Sequence, residues 1–480
     1  MSAEVIPERV LQAFTGTYPD LFPKKDLSNF GLLSDPSSNL PIGISRREVP
    51  HLAGLSSIGV NCAACHVGEI VVGPDKRSTK PLRVLGMTAQ FDAEAFLGAA
   101  IVATFRTSNP TNMKLFLENY LAASDPAADP KARDRLAAEW NRQEDKIIAA
   151  IAADPFGSQT TETLHAISGA DVRLDAELLE SGADLPRLVR SLLKLFHNMR
   201  AALHVPDQPP PPSPPNGPGR NDPWRILSYS LLGVVTKPAP IKFGLVWNEY
   251  QRTWVHYDAN TRSPVIRNLA AALGLGAPLI GHTGEVDFAA VERHTALSEL
   301  IRPPRYPAAA DRADARRGAR IYQNNCASCH EGPATDERLH SIAEIKTDPN
   351  RAEIFSPDIA ERFNQFFAEL QIPGYRSPEK PIRSTQKYWA PSLAGVWARS
   401  PYLHNGSVRT LRELLTPPDA RAKSFHRGSR VYDSSQMGYT DEGAYVVDTS
   451  TAGNSNAGHD FGTDLSDVEK RELIEYLKTL

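Results

Sequence analysis

Cysteine is scarce in this chain: four occur in 480 residues, and all four lie in two copies of one pentapeptide pattern. The copies read Cys62-Ala-Ala-Cys65-His66 and Cys326-Ala-Ser-Cys329-His330. Every cysteine therefore belongs to the same kind of motif, and none is left for a separate disulfide framework.

The chain also lacks a large excess of positive or negative charge. The net charge is −3, the isoelectric point is near 6.5, and no block of lysine and arginine occurs. This balance excludes the features typical of proteins that bind nucleic acid or another polyanion. We expect small molecules or another protein as partners.

Long apolar runs are missing as well. The most apolar short stretch, residues 96–105, is about ten residues long, whereas a membrane-spanning helix needs about 20. We therefore predict no transmembrane segment and interpret this stretch as a buried helix.

The pattern C-x-x-C-H is the attachment site of a c-type haem. The two thiols form thioether bonds to the porphyrin, and the adjacent histidine binds the iron as its proximal ligand. We therefore predict two covalently bound haem c groups with His66 and His330 as iron ligands. A zinc half-site or a redox dithiol would leave the histidine after each second cysteine unexplained.

Thioether attachment of haem normally takes place outside the cytoplasmic membrane. Residues 1–8 lack the basic and apolar regions of a secretory signal peptide. We expect a periplasmic or secreted protein whose precursor carries a leader peptide that this sequence does not include.

Helical periodicity is common along the chain, while runs of alternating β-branched residues are scarce. We predict a mainly α protein made of two c-type cytochrome domains with long irregular loops and little β-structure. The helices predicted are 90–106, 114–123, 131–153, 286–301 and one that Asp184 caps, with Leu188, Leu192, Leu195, Phe196 and Met199 on one face.

Prolines suggest how the chain is divided. Residues 206–219 should form an extended insert, and the prolines within 301–307 should end a helix. We predict an N-terminal haem domain over 1–305, whose helical and proline-rich insertions form the active-site region. A class I-like cytochrome c domain follows over 306–480.

The C-terminal part has the order of elements of a class I cytochrome c. A helix over 311–322 runs into Cys326, and a last helix with a capping box at Ser466 and Glu469 closes the chain. Gly318 lies inside the first of these helices and should let the two cross closely.

The sixth ligand of the C-terminal haem iron should lie shortly before the last helix. His459 stands there, in the glycine-rich loop 453–462, and is the predicted ligand. His404, His426 and Met437 are the competing candidates. An iron with two protein ligands has no open position, so we predict electron transfer at this haem.

No distal ligand stands out for the N-terminal haem. The sequence before Cys62 is rich in glycine and proline, and no nearby histidine or methionine is prominent. We therefore expect an iron with His66 on one side and an open position for dioxygen or peroxide on the other, which is the condition for an enzyme.

Two widely separated C-x-x-C-H motifs, with residues 401–407 after the second, resemble the dihaem cytochrome c peroxidase superfamily. Within it, the chain looks closer to the rubber (latex) oxygenases and the related dihaem fatty-acid dioxygenases. The stretches that carry this likeness are 40–43, 60–68, 218–222, 247–260, 267–268, 274–277 and 453–459. The chain departs from typical rubber oxygenases in its shorter length, its spacing between haems and its insert at 206–219.

The resemblance implies that dioxygen binds at the N-terminal haem and that the C-terminal haem has two histidine ligands. It also places Trp247, Trp254 and Tyr257 in a segment that lines the pocket and lies between the haems. We predict Trp247 and Trp254, with His66, as catalytic residues, although plain core positions are the alternative. His256 is either an acid–base group or a hydrogen-bonding neighbour.

These observations predict a haem-dependent dioxygenase that oxidises or cleaves the C=C bond of an apolar substrate such as polyisoprene, a terpenoid or an unsaturated lipid. Its partners would be O2 (or H2O2) and a small redox protein. The alternatives are a cytochrome c peroxidase that reduces H2O2 and a dihaem electron carrier without catalytic activity.

Overall fold

The computed structural model describes residues 4–49, 54–72, 80–123, 132–153, 184–203, 211–244, 246–277, 286–333 and 338–480, and the short pieces 52, 205, 279–280 and 283–284. Helices account for 45% of the residues and strands for 14%, so the predicted mainly α class is confirmed. Residues 206–210 of the predicted insert lie outside the described residues.

The helices are α1 Glu8–Thr17, α2 Cys62–His66, α3 Ala93–Thr107, α4 Pro110–Ala122, α5 Ala132–Ala153, α6 Leu185–Ala202, α7 Pro223–Leu232, α8 Pro264–Gly274, α9 Phe288–Ser298, α10 Arg312–Asn325, α11 Ala327–His330, α12 Ile342–Ile345, α13 Asn350–Glu353, α14 Pro357–Glu369, α15 Leu411–Leu414 and α16 Asp467–Leu477. Within the described ranges, no helix has both the length and the apolar character needed to cross a bilayer.

The strands are β1 Glu4–Pro7, β2 Ile44–Val49, β3 Leu55–Val60, β4 Val67–Val72, β5 Leu82–Leu85, β6 Arg220–Asn221, β7 Ile241–Lys242, β8 Trp254–Val255, β9 Thr261–Arg262, β10 Leu279–Ile280, β11 Thr283–Gly284, β12 Leu339–Ser341, β13 Lys387–Trp389, β14 Ser424–Arg427, β15 Val431–Asp433, β16 Gly438–Tyr439 and β17 Tyr445–Asp448. They form small separate sheets. The three-stranded sheet β1-β3-β2 and the helices α1, α7, α8 and α14 were not among the predicted elements.

The predicted helices of the N-terminal part are confirmed as α3, α4, α5, α6 and α9. The N-caps of α3, α4 and α6 are Asp92, Asn109 and Asp184, whose side-chain oxygens accept backbone N–H groups of the first turn. The apolar stretch 96–105 lies in α3 with one face buried, although Val102 and Phe105 remain 40% and 39% exposed.

The predicted crossing of two helices in the C-terminal part is confirmed. Helices α10 and α16 pack closely at Gly318, and a Cβ atom built there would lie 2.0 Å from the carbonyl oxygen of Glu472. The capping box is also confirmed, since the Ser466 hydroxyl accepts the backbone N–H of Glu469 and the Glu469 carboxylate accepts the backbone N–H of Ser466.

The parts of the chain before and after residue 305 contribute to one common sheet and one common hydrophobic core. Strand β15 pairs in parallel with β4, so Val431 faces Val71 and Tyr432 faces Val72, in the four-stranded sheet β16-β15-β4-β5. One hydrophobic core contains Ile70 and Trp247 together with side chains of α10 and α16. Strand β4, which follows the first haem motif, is thus paired with a strand of the C-terminal half. The division into domains at residue 305 stays a prediction.

Asp222, one of the residues that carry the family likeness, is 6% exposed and holds local structure. Its Oδ1 accepts the backbone N–H of Arg225 as the N-cap of α7, and its Oδ2 accepts that of Ala239 at 2.6 Å. Burial raises the pKa of Asp222 from 3.8 to about 6, against the opposing effect of these hydrogen bonds.

Asp222 should therefore make the free energy of unfolding fall as the pH rises from about 4 to 6. In that window the unfolded chain has lost the proton that the folded chain retains. Across this pH window, we expect the free energy of unfolding of the wild type to fall by about 2 to 3 kcal/mol relative to that of Asp222→Asn. Urea denaturation at several pH values measures this difference, and a constant value would contradict the prediction.

Candidate haem sites

The C-terminal haem motif begins where α10 ends. Cys326 follows the last residue of α10, and α11 holds Cys329 and His330. The Nδ1 of His330 donates to the carbonyl oxygen of Pro391 at 2.7 Å, which leaves the lone pair on Nε2. Burial, the largest cause, lowers the pKa of His330 to about 3. The imidazole is therefore neutral and can bind iron.

The ring of His459 lies next to His330, with the two ring centroids 6.3 Å apart. An imidazole nitrogen lies about 2 Å from a metal ion that it binds, so two rings on opposite sides of one ion have centroids about 6 Å apart. The distance between His330 and His459 fits a shared iron. Burial lowers the pKa of His459 to about 4, so this imidazole is also neutral.

The loop that carries His459 is held tightly. Gly458 has φ +72°, and a Cβ atom there would lie 2.3 Å from the backbone carbon of Lys346. The His459 backbone N–H donates to Ile345 at 2.8 Å, and Arg421 donates to the carbonyl oxygens of Gly458 and His459. These contacts fix the position of the imidazole.

The three competing residues lie elsewhere. The ring of His404 stacks on Tyr388 with centroids 4.3 Å apart, and its Nε2 hydrogen-bonds the Tyr388 hydroxyl at 3.0 Å. His426 is exposed beside Asp441, and Met437 is buried in a hydrophobic core. Cys326, Cys329, His330 and His459 are thus the residues that would hold a haem here, and the choice of His459 stays a prediction.

The N-terminal haem motif forms the short helix α2. Asn61 caps it by accepting the backbone N–H of Ala63 at 3.0 Å. Gly43 packs against it so closely that a Cβ atom would lie 2.2 Å from the nitrogen of Ala64. Burial raises the pKa values of the Cys62 and Cys65 thiols.

Burial lowers the pKa of His66 to about 4, and the positive charge of Arg267 lowers it further. Its neutral imidazole suits iron ligation, and its Nδ1 is buried. Among the described residues, the aromatic ring next to His66 is Phe243, with centroids 6.4 Å apart, and no histidine ring pairs with it as His459 does with His330. The two haem motifs therefore have different surroundings.

Arg267 brings a buried ion pair to this region. It pairs with Glu249, and the two side chains are 13% and 5% exposed. Its charge acts on both Cys62 and His66. Glu249 lies within the family-like stretch 247–260, but no local sequence pattern marks it, because its pairing with Arg267 depends on the approach of α8 to the segment before it.

Trp247 contacts the surroundings of both motifs. Its Nε1 donates to the Leu85 carbonyl oxygen at 2.8 Å, and the neighbouring Gly86 donates its N–H to the carbonyl oxygen of His66. The far side of the indole lies against Gly395, four residues after the Pro391 that hydrogen-bonds His330. Trp247 therefore lies between the two haem-binding segments.

Trp254, His256 and Tyr257 make their hydrogen bonds and ring contacts with residues other than those around Trp247. Trp254 is half-buried in strand β8 with the Arg383 guanidinium 4.1 Å from its ring centroid. His256 is half-buried, and its Nδ1 hydrogen-bonds Asn260 and Thr261 at 3.0 Å each. Tyr257 packs edge-on to His404. The geometry of His256 matches the alternative of a hydrogen-bonding neighbour.

Two segments of the chain match profiles of known protein families. A family profile described as "RoxA-like, cytochrome c-like" matches residues 387–426, and one described as "Cytochrome C oxidase, cbb3-type, subunit III" matches residues 313–363. The second match contains the motif at Cys326. Both matched segments lie after residue 305, so neither includes the motif at Cys62.

Three proteins are similar over larger stretches. The uncharacterized protein y4iJ of Sinorhizobium fredii is 28% identical, over 95% of this chain and 84% of its own length. The uncharacterized protein y4iM of the same organism is 33% identical over 49% of this chain and 63% of its own. The cytochrome-c peroxidase IdrP1 of Denitromonas iodatirespirans is 31% identical over 26% of this chain and 38% of its own.

The two matched segments, residues 313–363 and 387–426, are similar to cytochrome c domains, and such domains imply covalently bound haem c. They support a cytochrome c and dihaem-peroxidase-like superfamily and a haem c oxidoreductase activity. Cytochrome c domains of this kind are typically periplasmic or extracellular.

Proposed function

We propose that this protein is a dihaem oxidoreductase that would oxidise an apolar alkene with O2 at the N-terminal motif, where His66 would hold a haem, and would transfer electrons at the C-terminal motif, where His330 and His459 would hold a second. The observation that carries the proposal is the difference between the two histidines. His330 has His459 within 6.3 Å, ring centre to ring centre, whereas the ring beside His66 belongs to Phe243. When bound, haem c would supply the redox and oxygen chemistry.

The side chains around each motif have distinct tasks in this proposal. His66 would hold the first haem, and Phe243 beside it would keep that side of the site apolar and free of water. His330 and His459 would together hold the iron of the second haem. Trp247, in contact with both segments, would shorten the electron path between them.

The specific alternative to O2 as the oxidant is H2O2. Reduction of H2O2 requires an acid–base group near the iron, and the buried pair of Glu249 and Arg267 close to His66 favours that second function. The similarity to the peroxidase IdrP1 points the same way. An alkene oxygenase would instead need an apolar distal side.

Spectra and product analysis together test the proposal. The oxidised protein should show one low-spin haem and one that is high-spin or has oxygen bound, and CO should bind one haem after reduction. Two six-coordinate low-spin haems that exclude CO would leave only the electron carrier. O2 uptake with formation of carbonyl or hydroperoxide products from polyisoprene, terpenoids or unsaturated fatty acids identifies the oxygenase.

Glu249→Gln separates the two enzyme functions. If the protein reduces H2O2, this variant should lose peroxide turnover while the spectra of both haems stay unchanged. If it oxidises alkenes, product formation should survive the change. Asp419→Asn, at an exposed position of the C-terminal half, is the control and should affect neither reaction.

A further inference from the structure

Helix α10, which leads into the motif at Cys326, carries three arginines on its solvent face. Arg312, Arg316 and Arg320 recur every four residues, and all three are exposed. Gly318 marks the opposite face, which packs against α16. Residues four positions apart are neighbours on a helix, so the three guanidinium groups form one row along α10. We call these three residues the arginine stripe.

No carboxylate within the described ranges forms an ion pair with the arginine stripe. The acidic residues of α10 are engaged elsewhere, since Asp311 caps the helix and Asp314 pairs with Arg317 and Arg471. Arg317 differs from the stripe in this respect, because it also pairs with Glu472 of α16. The positive charge of the stripe is therefore not neutralised by the part of the chain that the structure describes.

This arrangement works against the stability of α10. Like charges four residues apart on a helix repel each other and destabilise it. The Nε of Arg316 donates to the carbonyl oxygen of Arg312 at 3.2 Å, so this side chain stays close to its positive neighbour. The whole chain carries a net charge of −3, so the stripe is a local reversal of sign. An anionic surface placed against it would relieve the repulsion.

The arginine stripe continues to the exposed side of the C-terminal haem motif. Gln323 lies on the same face of α10 and is exposed. Its Nε2 donates to Oε1 of Glu331 at 3.1 Å, and Glu331 is the exposed residue directly after His330. Ser328, inside the motif, is exposed as well. A protein seated on the stripe would therefore also reach the outer side of this motif.

We propose that the arginine stripe docks the acidic face of a small electron-transfer protein, an inference that rests on the proposed function of the second haem. Charge complementarity selects this partner, because carboxylates that face guanidinium groups steer and orient a transient complex. The stripe is about 12 Å long at 1.5 Å per residue, which suits the small interfaces of redox complexes. One electron would pass from the reduced partner to the oxidised second haem, so the partner is oxidised as this chain is reduced.

Binding of an acidic monohaem cytochrome c tests the docking site. The haem-loaded wild type is compared with the triple variant Arg312→Gln, Arg316→Gln, Arg320→Gln by calorimetry. At an ionic strength of about 0.01 M, where charges act over about 30 Å, the triple variant should bind at least about tenfold more weakly. Added salt should weaken binding to the wild type until the two proteins match. A basic monohaem cytochrome c should bind the variant no more weakly than the wild type.

Two further triple variants make the binding test specific. Lysine at the same three positions keeps the charge and should preserve binding of the acidic cytochrome. Three exposed cations elsewhere in the C-terminal half provide the matched control, as Arg376→Gln, Lys380→Gln and Lys423→Gln in one chain. This control changes the net charge by the same amount and should bind like the wild type. The side chains of the stripe are exposed and repel one another, so their replacement should not impair folding.

The rate of reduction of the second haem separates this inference from the proposed function. With the reduced acidic cytochrome at low salt, the rate should fall about tenfold when the arginine stripe is replaced by glutamine. With hydroquinone, a small uncharged reductant, the wild type and all variants should react equally fast. If neither reductant delivers an electron, the proposed function of the second haem fails, whereas the binding result still decides the docking site.

Equal affinities of the wild type and the glutamine variant for the acidic cytochrome would overturn the docking site, and so would a lack of binding to the wild type at about 0.01 M ionic strength. Phosphatidylglycerol vesicles test the other kind of anionic surface. Binding to these vesicles that depends on the arginine stripe, without binding of the acidic cytochrome, would also overturn the proposal and assign the stripe to a membrane surface.

Discussion

Replacement of His459 by alanine is expected to raise the number of CO molecules bound by the reduced protein from one to two per chain. The imidazole of His459 is neutral, and it lies 6.3 Å from that of His330 between ring centres. Its removal would leave one axial position of the C-terminal iron open to CO. The low-spin signal of the oxidised protein should disappear at the same time.

Two further variants make this test specific. His426→Ala removes an exposed histidine that pairs with Asp441 and should leave the spectra unchanged. His404→Gln removes a ring that stacks on Tyr388 and should also leave the low-spin haem intact. A persistent low-spin signal in His459→Ala, with loss of it in His404→Gln, would assign the ligand to His404.

The second large effect is expected at Gly318, where α10 crosses α16. A Cβ atom would lie 2.0 Å from the Glu472 carbonyl oxygen and 2.9 Å from the Cβ of Tyr476. Since the first of these is backbone, α16 must move away as a whole. We expect Gly318→Ala to lower the free energy of unfolding by about 3 to 4 kcal/mol, at the upper end of overpacking effects.

Gly98 provides the matched control, because it also lies inside a helix. A Cβ atom at Gly98 would meet no atom within 4 Å. Gly98→Ala should therefore stabilise the protein by about 0.5 to 1 kcal/mol through the better helix propensity of alanine. Denaturation curves of the two haem-loaded variants give both values, and similar effects at the two glycines would contradict the role of the crossing.

Much of the helical structure was predictable because its signals are local. Asp184 precedes a helix with regularly spaced leucines, and Ser466 and Glu469 form a capping box three residues apart. Both kinds of signal act within one or two helical turns. Helix α1 and the sheet β1-β3-β2 were missed, since β2 carries the charged residues Arg46, Arg47 and Glu48, which obscure its strand pattern.

Of the candidate site, the sequence predicted the two C-x-x-C-H motifs and His459, which stands in a glycine-rich loop shortly before the last helix. The two motifs identify Cys62, Cys65 and His66, and their C-terminal counterparts, without any knowledge of the fold. Phe243 beside His66 and Pro391 at the Nδ1 of His330 come from distant segments, the latter 61 residues away. No spacing rule relates such residues, because only chain folding brings them together.

By itself, the sequence determined what depends on neighbouring residues: the two C-x-x-C-H motifs at Cys62 and Cys326, which predict haem attachment, and the capped amphipathic helices. Only the tertiary structure gave the 6.3 Å separation between the rings of His459 and His330, and the contacts of Trp247, rather than Trp254, with both haem-binding segments. The reason is physical. Covalent motifs and helix caps depend on residues a few positions apart, whereas strand β4 and its partner β15 pair across more than half of the chain.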